Sequence, residues 1–117
     1  SISGELWTPT IYKNGSWSFQ NDFGLWLTIG HNGSVYASKD HLKGWEHFWL
    51  ESPIGDMSAF GKLYLKSIYG TFLSHSVDGS KVNMSLENGT CQQWYIQPEG
   101  KLVVFVPYCT RKFFLHA

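Results

Sequence analysis

Carboxylates are candidate catalytic groups, because paired Asp and Glu residues can carry out general acid–base catalysis. Asp40, Glu46 and Glu51 fall near one loop of the sequence. The chain has no Gly-x-Ser-x-Gly nucleophile elbow, no His-Glu-x-x-His helix and no glycine-rich phosphate loop. We therefore interpret the three carboxylates as solvated surface charges, and predict that the protein is not an enzyme and has no catalytic residue.

Histidines could form a metal site or a pH-sensitive cluster if the fold gathered them. Their spacing along the chain resembles no metal-binding motif, so we interpret them as isolated surface imidazoles. We expect neither a metal site nor any other cofactor. The five histidines are His31, His41, His47, His75 and His116.

The two cysteines, Cys91 and Cys109, lie 18 residues apart. This number and spacing fit neither a zinc motif nor a disulfide-dense framework. One disulfide could join them if the fold brought their Cα atoms within about 7 Å. The sequence leaves that pairing open.

Four Asn-x-Ser/Thr sequons are acceptors for N-linked glycans if the protein passes through a secretory pathway. The Asn-Gly pairs among them are also what a tight β-turn prefers in any compartment, and we favour that interpretation for each site. The protein is thus secreted if the sequons are used, and its compartment is otherwise undetermined. The sequons begin at Asn14, Asn32, Asn83 and Asn88.

Aromatic residues are in surplus, since six Trp are more than one small core readily buries. Trp7, Trp17, Tyr36 and Trp45 lie beside predicted turns. There a ring can stack on the apolar face of a sugar or anchor a protein partner. The same rings could instead plug the open ends of a barrel, and both interpretations remain open.

Composition places these residues in one folded domain of 117 residues, 43% of them hydrophobic, which excludes intrinsic disorder. Nine basic residues balance nine acidic ones without a run of one sign, so we expect no nucleic-acid partner. The apolar run Leu102 to Val106 is too short to span a bilayer, so we expect no membrane insertion. Ser1 is not a natural translation start, and we expect N-terminal processing or trimming.

Self-comparison of the chain reveals a repeated unit of four short strands. Segment 17–28 aligns with segment 63–74, and each has a strand, a Gly turn and a strand with an aromatic-Leu-hydroxyl pattern. An Asx-Gly-Ser turn and a third strand follow in both, and an aromatic fourth strand closes both. These third and fourth strands lie in 31–35 and 48–51 of the first unit, and in 77–82 and 94–97 of the second.

A third unit is split between the two termini. Segment 100–105 copies segment 61–66 and continues through 113–116, while the fourth strand lies at 5–8. We count eleven strands where three full units need twelve. The unfilled position near Ala117 and Ser1 would leave unpaired edges, so we predict either a homo-oligomer that completes the split repeat or a chain trimmed from a longer or tandem protein.

One such unit cannot cover its own apolar face. Three units arranged around a pseudo-threefold axis can bury these faces together in a closed barrel capped by hairpins. We predict one all-β domain over 1–117, a β-trefoil with repeats at about 15–53, 61–98 and 100–117 plus 1–12. A β-sandwich is the alternative, although it does not require the threefold register. The predicted inward residues are Phe19, Leu27, Val35, Phe48, Leu50, Leu65, Leu73, Val82, Trp94, Ile96, Val104 and Leu115.

The repeats bring the exposed polar and aromatic residues into two comparable loop regions. In the first unit, Trp45 with His31 and Asn32 forms the best candidate ligand-binding set. The equivalent region of the second unit contributes the candidates Asp78, Asn88 and Gln92.

The repeated strand, Gly turn, aromatic-Leu-Ser/Thr strand and Asx-Gly turn resemble the fascin-like and hisactophilin-like actin-crosslinking trefoils, especially in segments 63–74 and 25–28. This resemblance covers nearly the whole chain, but the lysines are scattered where actin-bundling members carry basic patches, so no actin-contact residue is transferred. A weaker similarity is to ricin-type sugar-binding trefoils, whose Gln-x-Trp signature Gln92-Gln93-Trp94 matches once.

Two functions remain open, because the fold alone does not choose between them. The first is a non-catalytic cytoskeletal module that binds actin filaments or another cytoskeletal protein, and would be cytoplasmic. The alternative is a carbohydrate-binding lectin that uses the Trp- and Asn-rich hairpin loops. A cytokine-like ligand is a distant third.

Overall fold

The computed structural model describes residues 4–39, 44–53, 61–77 and 81–109, which form ten strands and two short 3-10 turns. Among these residues, no helix has the length and apolar character that crossing a membrane requires. The 3-10 turns are Gly44–Glu46 and Thr90–Gln92. The strands are β1 (Leu6–Ile11), β2 (Trp17–Gln20), β3 (Trp26–Ile29), β4 (Val35–Ser38), β5 (Trp49–Glu51), β6 (Tyr64–Lys66), β7 (Phe72–His75), β8 (Val82–Ser85), β9 (Trp94–Glu99) and β10 (Leu102–Pro107).

Six of the strands close into a barrel in the order β1, β2, β5, β6, β9, β10. Antiparallel ladders join β10 to β1, β1 to β2, β5 to β6, and β9 to β10. Two bridges complete the ring, Trp17 with Phe48 and Leu63 with Trp94. Each bridge has both backbone hydrogen bonds, at 2.7 and 2.8 Å in the first and 2.8 and 2.9 Å in the second. Closure satisfies the edges that an open sheet would expose.

Two hairpins, β3–β4 and β7–β8, extend from this barrel. They contact each other where Ser34 pairs with Asn83 and the N–H of Met84 donates to the carbonyl of Gly33 at 2.8 Å. A six-stranded barrel carrying such hairpins is a β-trefoil, as the repeats predict. The predicted eleventh strand at 113–116 lies outside the described residues, and so does the junction where strand exchange between chains was predicted.

The turns that lead from the barrel into the hairpins repeat one hydrogen-bond pattern. In the first unit, Asn21 Oδ1 accepts from the backbone N–H groups of residues 23 and 25, both at 3.0 Å. In the second, Ser67 Oγ accepts from those of residues 69 and 71 at 3.1 and 3.2 Å. Gly24 and Gly70 follow with φ of 78° and 80°, a region that glycine enters without steric cost. Different side chains thus cap equivalent turns.

The third unit is shifted by one residue from the register that the sequence predicts. Val103, not Leu102, occupies the barrel position of Trp17 and Leu63. Leu63 is the second residue after the turn glycine Gly61, whereas Val103 is the third residue after Gly100. The side-chain period of a strand is two, so this shift exchanges the faces of β10. The three equivalent barrel pairs are Trp17–Phe48, Leu63–Trp94 and Val103–Trp7.

This shift explains the one wrong assignment among the described core positions. Val104 is only partly buried, whereas its neighbours Val103 and Phe105 are buried, with Phe105 fully enclosed. The Phe105 ring meets Phe19 edge to face, with centroids 4.9 Å apart. Phe105 therefore fills the core position that Val104 was predicted to fill.

The remaining predicted core is confirmed within the described residues, and Leu115 lies outside them. Val35, Leu50, Val82 and Ile96 are partly buried and pack against the core. Trp7 is 1% exposed, so the interpretation of Trp7 as a surface ring is wrong. The fully buried predicted residues are Phe19, Leu27, Phe48, Leu65, Leu73 and Trp94. The buried core cluster also contains Trp7, Ile29, Val103 and Phe105.

Candidate functional site

The turn between β3 and β4 holds two of the predicted ligand residues at the surface. The N–H of Gly30 donates to the carbonyl of Ser34 at 2.8 Å, which closes the turn. Asn32 Oδ1 accepts from the N–H of Ser34 at 3.1 Å, an Asx turn that fixes the side chain locally. His31 and Asn32 are both exposed at the tip.

Trp45 lies in the first 3-10 turn and is half-buried against the core. The next residue, Glu46, is buried, and its carbonyl accepts from Ser18 Oγ at 2.9 Å, which ties the turn to β2. The Trp45 and His31 rings meet edge to face, with centroids 4.6 Å apart and planes at 77°. One part of the indole therefore anchors in the protein while another borders the exposed imidazole.

Tyr69 approaches His31 from the second unit. Its hydroxyl lies 3.5 Å from His31 Nδ1, the ring centroids are 6.1 Å apart, and 48% of Tyr69 is exposed. The preceding residue, Ile68, packs on Gly44, where an added Cβ would come within 2.8 Å of Ile68 Cδ1. Glycine at position 44 therefore allows the second unit to approach the Trp45 turn closely.

We refer to His31, Trp45 and Tyr69 as the aromatic cluster. Beside it is a small cavity of about 90 Å³, lined in part by His31, Tyr69, Thr71 and Met84. Enclosed small-molecule sites measure roughly 300–1,000 Å³. A ligand at the aromatic cluster would therefore lie across the surface rather than inside a cavity.

The chemistry of the aromatic cluster suits an uncharged, amphipathic ligand. The aromatic rings offer apolar surface for the C–H face of a sugar. The tyrosine hydroxyl, the imidazole nitrogens and the nearby Asn32 amide offer hydrogen-bond donors and acceptors. None of these side chains carries a permanent charge. Rings held by a core contact and by turns also lose little conformational entropy when a ligand binds.

Two other predicted ligand residues belong to the second unit and not to the aromatic cluster. Gln92 is 4% exposed, its Nε2 donates to Ser74 Oγ at 2.7 Å and its Oε1 accepts from the N–H of Gly89 at 2.7 Å. That placement favours a structural role for Gln92. Asn88 is exposed, and its carbonyl accepts from the Tyr64 hydroxyl at 2.7 Å. The third candidate, Asp78, lies outside the described residues.

The second unit has a disulfide where the first has the aromatic cluster. The 3-10 turns Gly44–Glu46 and Thr90–Gln92 are equivalent, because each ends two residues before a barrel-bridge residue, so Cys91 stands where Trp45 does. Cys91 is bonded to Cys109, with Cα atoms 4.6 Å apart. The second unit therefore does not repeat the indole that the first presents.

The carboxylates and histidines depart in part from the surface roles predicted for them. Glu46 is 1% exposed, so its interpretation as a solvated charge is wrong; it stands at the position of Gln92. Glu51 is exposed and lies 3.7 Å from Lys66 Nζ. His47 is partly buried, and its ring centroid lies 4.7 Å from that of Tyr12 with the planes tilted at 54°. Asp40, His41 and His116 lie outside the described residues.

His75 is the clearest exception to the predicted surface imidazoles, because it is only 3% exposed. Burial, the largest influence, lowers the pKa of His75 below its ordinary value, while the carbonyls of Ser76 and Gln93 oppose the shift. His75 also lines a cavity of about 520 Å³, together with Ser74, Ser76, Lys81, Val82 and Asn83. Among the described residues this lining has no Trp, Tyr or Phe, and its only ring, the His75 imidazole, is buried, so it offers little stacking surface. Nor do three or more His, Cys, Asp or Glu side chains gather into a metal site in the described parts of the chain.

All four sequon asparagines are exposed. Asn14 Oδ1 accepts from both the N–H and the hydroxyl of Ser16, at 3.0 and 2.7 Å. Asn83 lies on β8, and Asn88 precedes the second 3-10 turn. Attachment of a glycan at any of the four would not require the core to open.

Tyr69 is the site residue that sequence reasoning missed. The repeat alignment contained a signal, because Tyr69 occupies the turn position of Phe23 and precedes a glycine in both units. What the alignment does not contain is the approach of Tyr69 to His31, which is 38 residues away in the chain.

Comparisons with known proteins identify the fold but no family. No family model matches the chain. No significant match is found among curated proteins. Among solved structures, the chain is similar to SeviL bound to asialo-GM1 saccharide, with a TM-score of 0.62 and 14% identity. The match covers 76% of this chain and 66% of that chain, just under two thirds of its length. At this identity the similarity establishes the β-trefoil fold and nothing finer.

Proposed function

We propose that the protein is a non-catalytic carbohydrate-binding module that holds a sugar against the aromatic cluster. The observation that carries the proposal is the arrangement of the half-buried Trp45 with the exposed rings of His31 and Tyr69. The similar fold of SeviL, whose structure was solved with a saccharide bound, adds support. The carbohydrate alternative is thereby preferred to actin binding, which no structural observation favours.

The size of the site sets the expected affinity. A shallow site that gains about 0.3 kcal/mol per non-hydrogen atom gains roughly 4 kcal/mol from one hexose, which corresponds to a Kd of the order of 1 mM. Useful binding therefore needs an extended glycan or several glycans presented together, since linked contacts raise the effective concentration.

A dense glycan array tests the proposal directly. We expect the wild-type protein to bind a restricted set of glycans, and Trp45→Ala to lose that binding. Trp45→Phe keeps a smaller ring and should retain part of it. A thermal melt of each variant shows whether the protein is still folded, because Trp45 also packs against the core.

A matched co-sedimentation experiment addresses the cytoskeletal hypothesis. Pelleting with actin filaments at low salt, together with an array that shows no glycan bound, would overturn the proposal in favour of that hypothesis. Glycan binding that Trp45→Ala leaves unchanged would place the site elsewhere on the molecule.

A further inference from the structure

A glycan acceptor sequence lies inside the turn that presents the candidate site. The sequon Asn32-Gly33-Ser34 follows His31 directly, and its Asn is exposed. Asn32 Oδ1 accepts from the N–H of Ser34, while no hydrogen bond of Asn32 Nδ2 occurs among the described residues. The nitrogen to which a glycan would attach therefore makes no competing hydrogen bond within the described parts of the protein.

The disulfide gives independent evidence on the compartment. Structural disulfides persist in secreted and extracellular proteins and are rare in the cytosol. The Cys91–Cys109 bond therefore favours an oxidising environment. Sequons are glycosylated on the same secretory route. The disulfide therefore supports the interpretation of the sequons as glycan acceptors, in addition to their role as turn residues.

We propose that Asn32 is N-glycosylated and that its glycan covers the aromatic cluster, which limits access of outside sugars to it. The donor is an oligosaccharide carried on a lipid diphosphate, as the secretory pathway supplies. Asn32 Nδ2 forms a bond to the anomeric carbon of the first sugar, the bond from that carbon to the diphosphate breaks, and the amide loses one proton. The lipid diphosphate is the leaving group.

Proximity makes the attached glycan an effective competitor. Its first sugar is joined to the residue next to His31, whose ring centroid lies 4.6 Å from that of Trp45. A group on a short flexible link has an effective concentration in the millimolar range. That concentration is comparable to the Kd of about 1 mM expected for one hexose. The attached glycan would thus occupy or shield the aromatic cluster for much of the time, an inference that rests on the proposed function.

The experiment uses the protein secreted from eukaryotic cells. Glycopeptide mass spectrometry reports whether Asn32 carries a glycan. Ser34→Ala removes the hydroxyl that the sequon needs and keeps the Asn32 amide, so it separates loss of the glycan from loss of a ligand contact. Asn14→Gln removes a different sequon, whose Asn is not part of the aromatic cluster, and serves as the control.

Binding is measured with the array glycans that the deglycosylated protein recognises. The apparent Kd rises in inverse proportion to the uncovered fraction of the site. An effective concentration comparable to the Kd for one hexose covers the aromatic cluster about half of the time, so Ser34→Ala should bind about twofold more tightly than the wild type. Asn14→Gln should bind like the wild type.

The outcomes separate the two proposals. An unmodified Asn32 in the secreted protein, or equal binding by wild type and Ser34→Ala, would overturn the glycan-cover proposal and leave the binding function standing. If neither the deglycosylated wild type nor Ser34→Ala binds any glycan, the proposed function fails, and the glycan cover fails with it.

Discussion

The imidazole of His75 packs edge to face against the indole of Trp94, with ring centroids 4.8 Å apart and planes at 75°. Trp94 Nε1 in turn donates to the carbonyl of Leu73 at 3.0 Å. The N–H of Cys109 lies 3.4 Å from His75 Nε2, which joins the disulfide region to β7. His75 therefore links the hairpin of the second unit, the barrel and the start of the C-terminal segment.

This environment predicts that acid destabilises the protein through His75. Burial lowers the pKa of His75 in the folded state, while the unfolded chain keeps the ordinary value of 6.5. Above pH 6.5 His75 is neutral in both states, and its contribution to the stability of the protein is fully present. As the pH falls from 6.5 towards the lower pKa of the folded state, the unfolded chain binds a proton at His75 that the folded protein does not. The free energy of unfolding should fall by up to about 1.4 kcal/mol per pH unit from this group.

Thermal or urea unfolding between pH 8 and pH 5 measures the effect. His75→Gln removes the titration, so its stability should depend less on pH than that of the wild type across this range. His31→Gln, at an exposed position, is the comparison. Equal pH slopes for the wild type and His75→Gln would contradict the role of His75.

A second prediction concerns the contribution of Tyr69 to glycan binding. Tyr69→Ala should weaken binding by about two- to twelvefold, because stacking and edge contacts of one ring contribute roughly 0.5–1.5 kcal/mol beyond area burial. Phe23→Ala is the matched control: Phe23 occupies the equivalent turn of the first unit and is 80% exposed. Both variants should fold, and only Tyr69→Ala should lose affinity on the glycan array. A similar loss in Phe23→Ala would argue against a localised site.

The shifted register of β10 gives a third prediction. Phe105→Ala removes a fully buried ring and should destabilise the protein by about 3–5 kcal/mol. Val104→Ala, at the adjacent, partly buried position, should cost about 1 kcal/mol or less. Urea unfolding of the pair checks the face assignment, and the reverse order of costs would restore the register in which Val104 points inward.

The disulfide gives a fourth prediction. Replacing Cys91 and Cys109 together by Ala should destabilise the protein by about 3 kcal/mol, because the closed loop of 18 residues no longer restricts the unfolded chain. The melting temperature should drop by roughly 10 °C or more. Reduction of the wild type before a second melt should give a comparable drop, and a melt insensitive to both changes would contradict a stabilising bond.

The fold was predictable because local patterns repeat. Alternation of apolar residues identifies β3 and β7, and places Leu27 and Leu73 in the core. Glycines in equivalent turns mark where the chain reverses, as at Gly24 and Gly70. Within one unit, neighbouring residues alone decide these features, so the sequence suffices.

The candidate site was predictable only in part. His31, Asn32 and Trp45 stand out as polar or aromatic residues beside turns of one unit. Tyr69 does not stand out, because its contact with His31 crosses from one unit to the next. Gln92 resembles a ligand residue in sequence, yet its amide is committed to Ser74 and to the backbone inside the protein.

By itself, the sequence determined the all-β class, the repeated four-strand unit and most of the apolar core, because strand period and turn chemistry are local properties. The tertiary structure alone decided which face of β10 turns inward, that Glu46 and His75 are buried, and that His31 meets Tyr69. Closing the barrel pairs residues far apart in the chain, and a shift of one residue in such a pairing exchanges every inward side chain with an outward one.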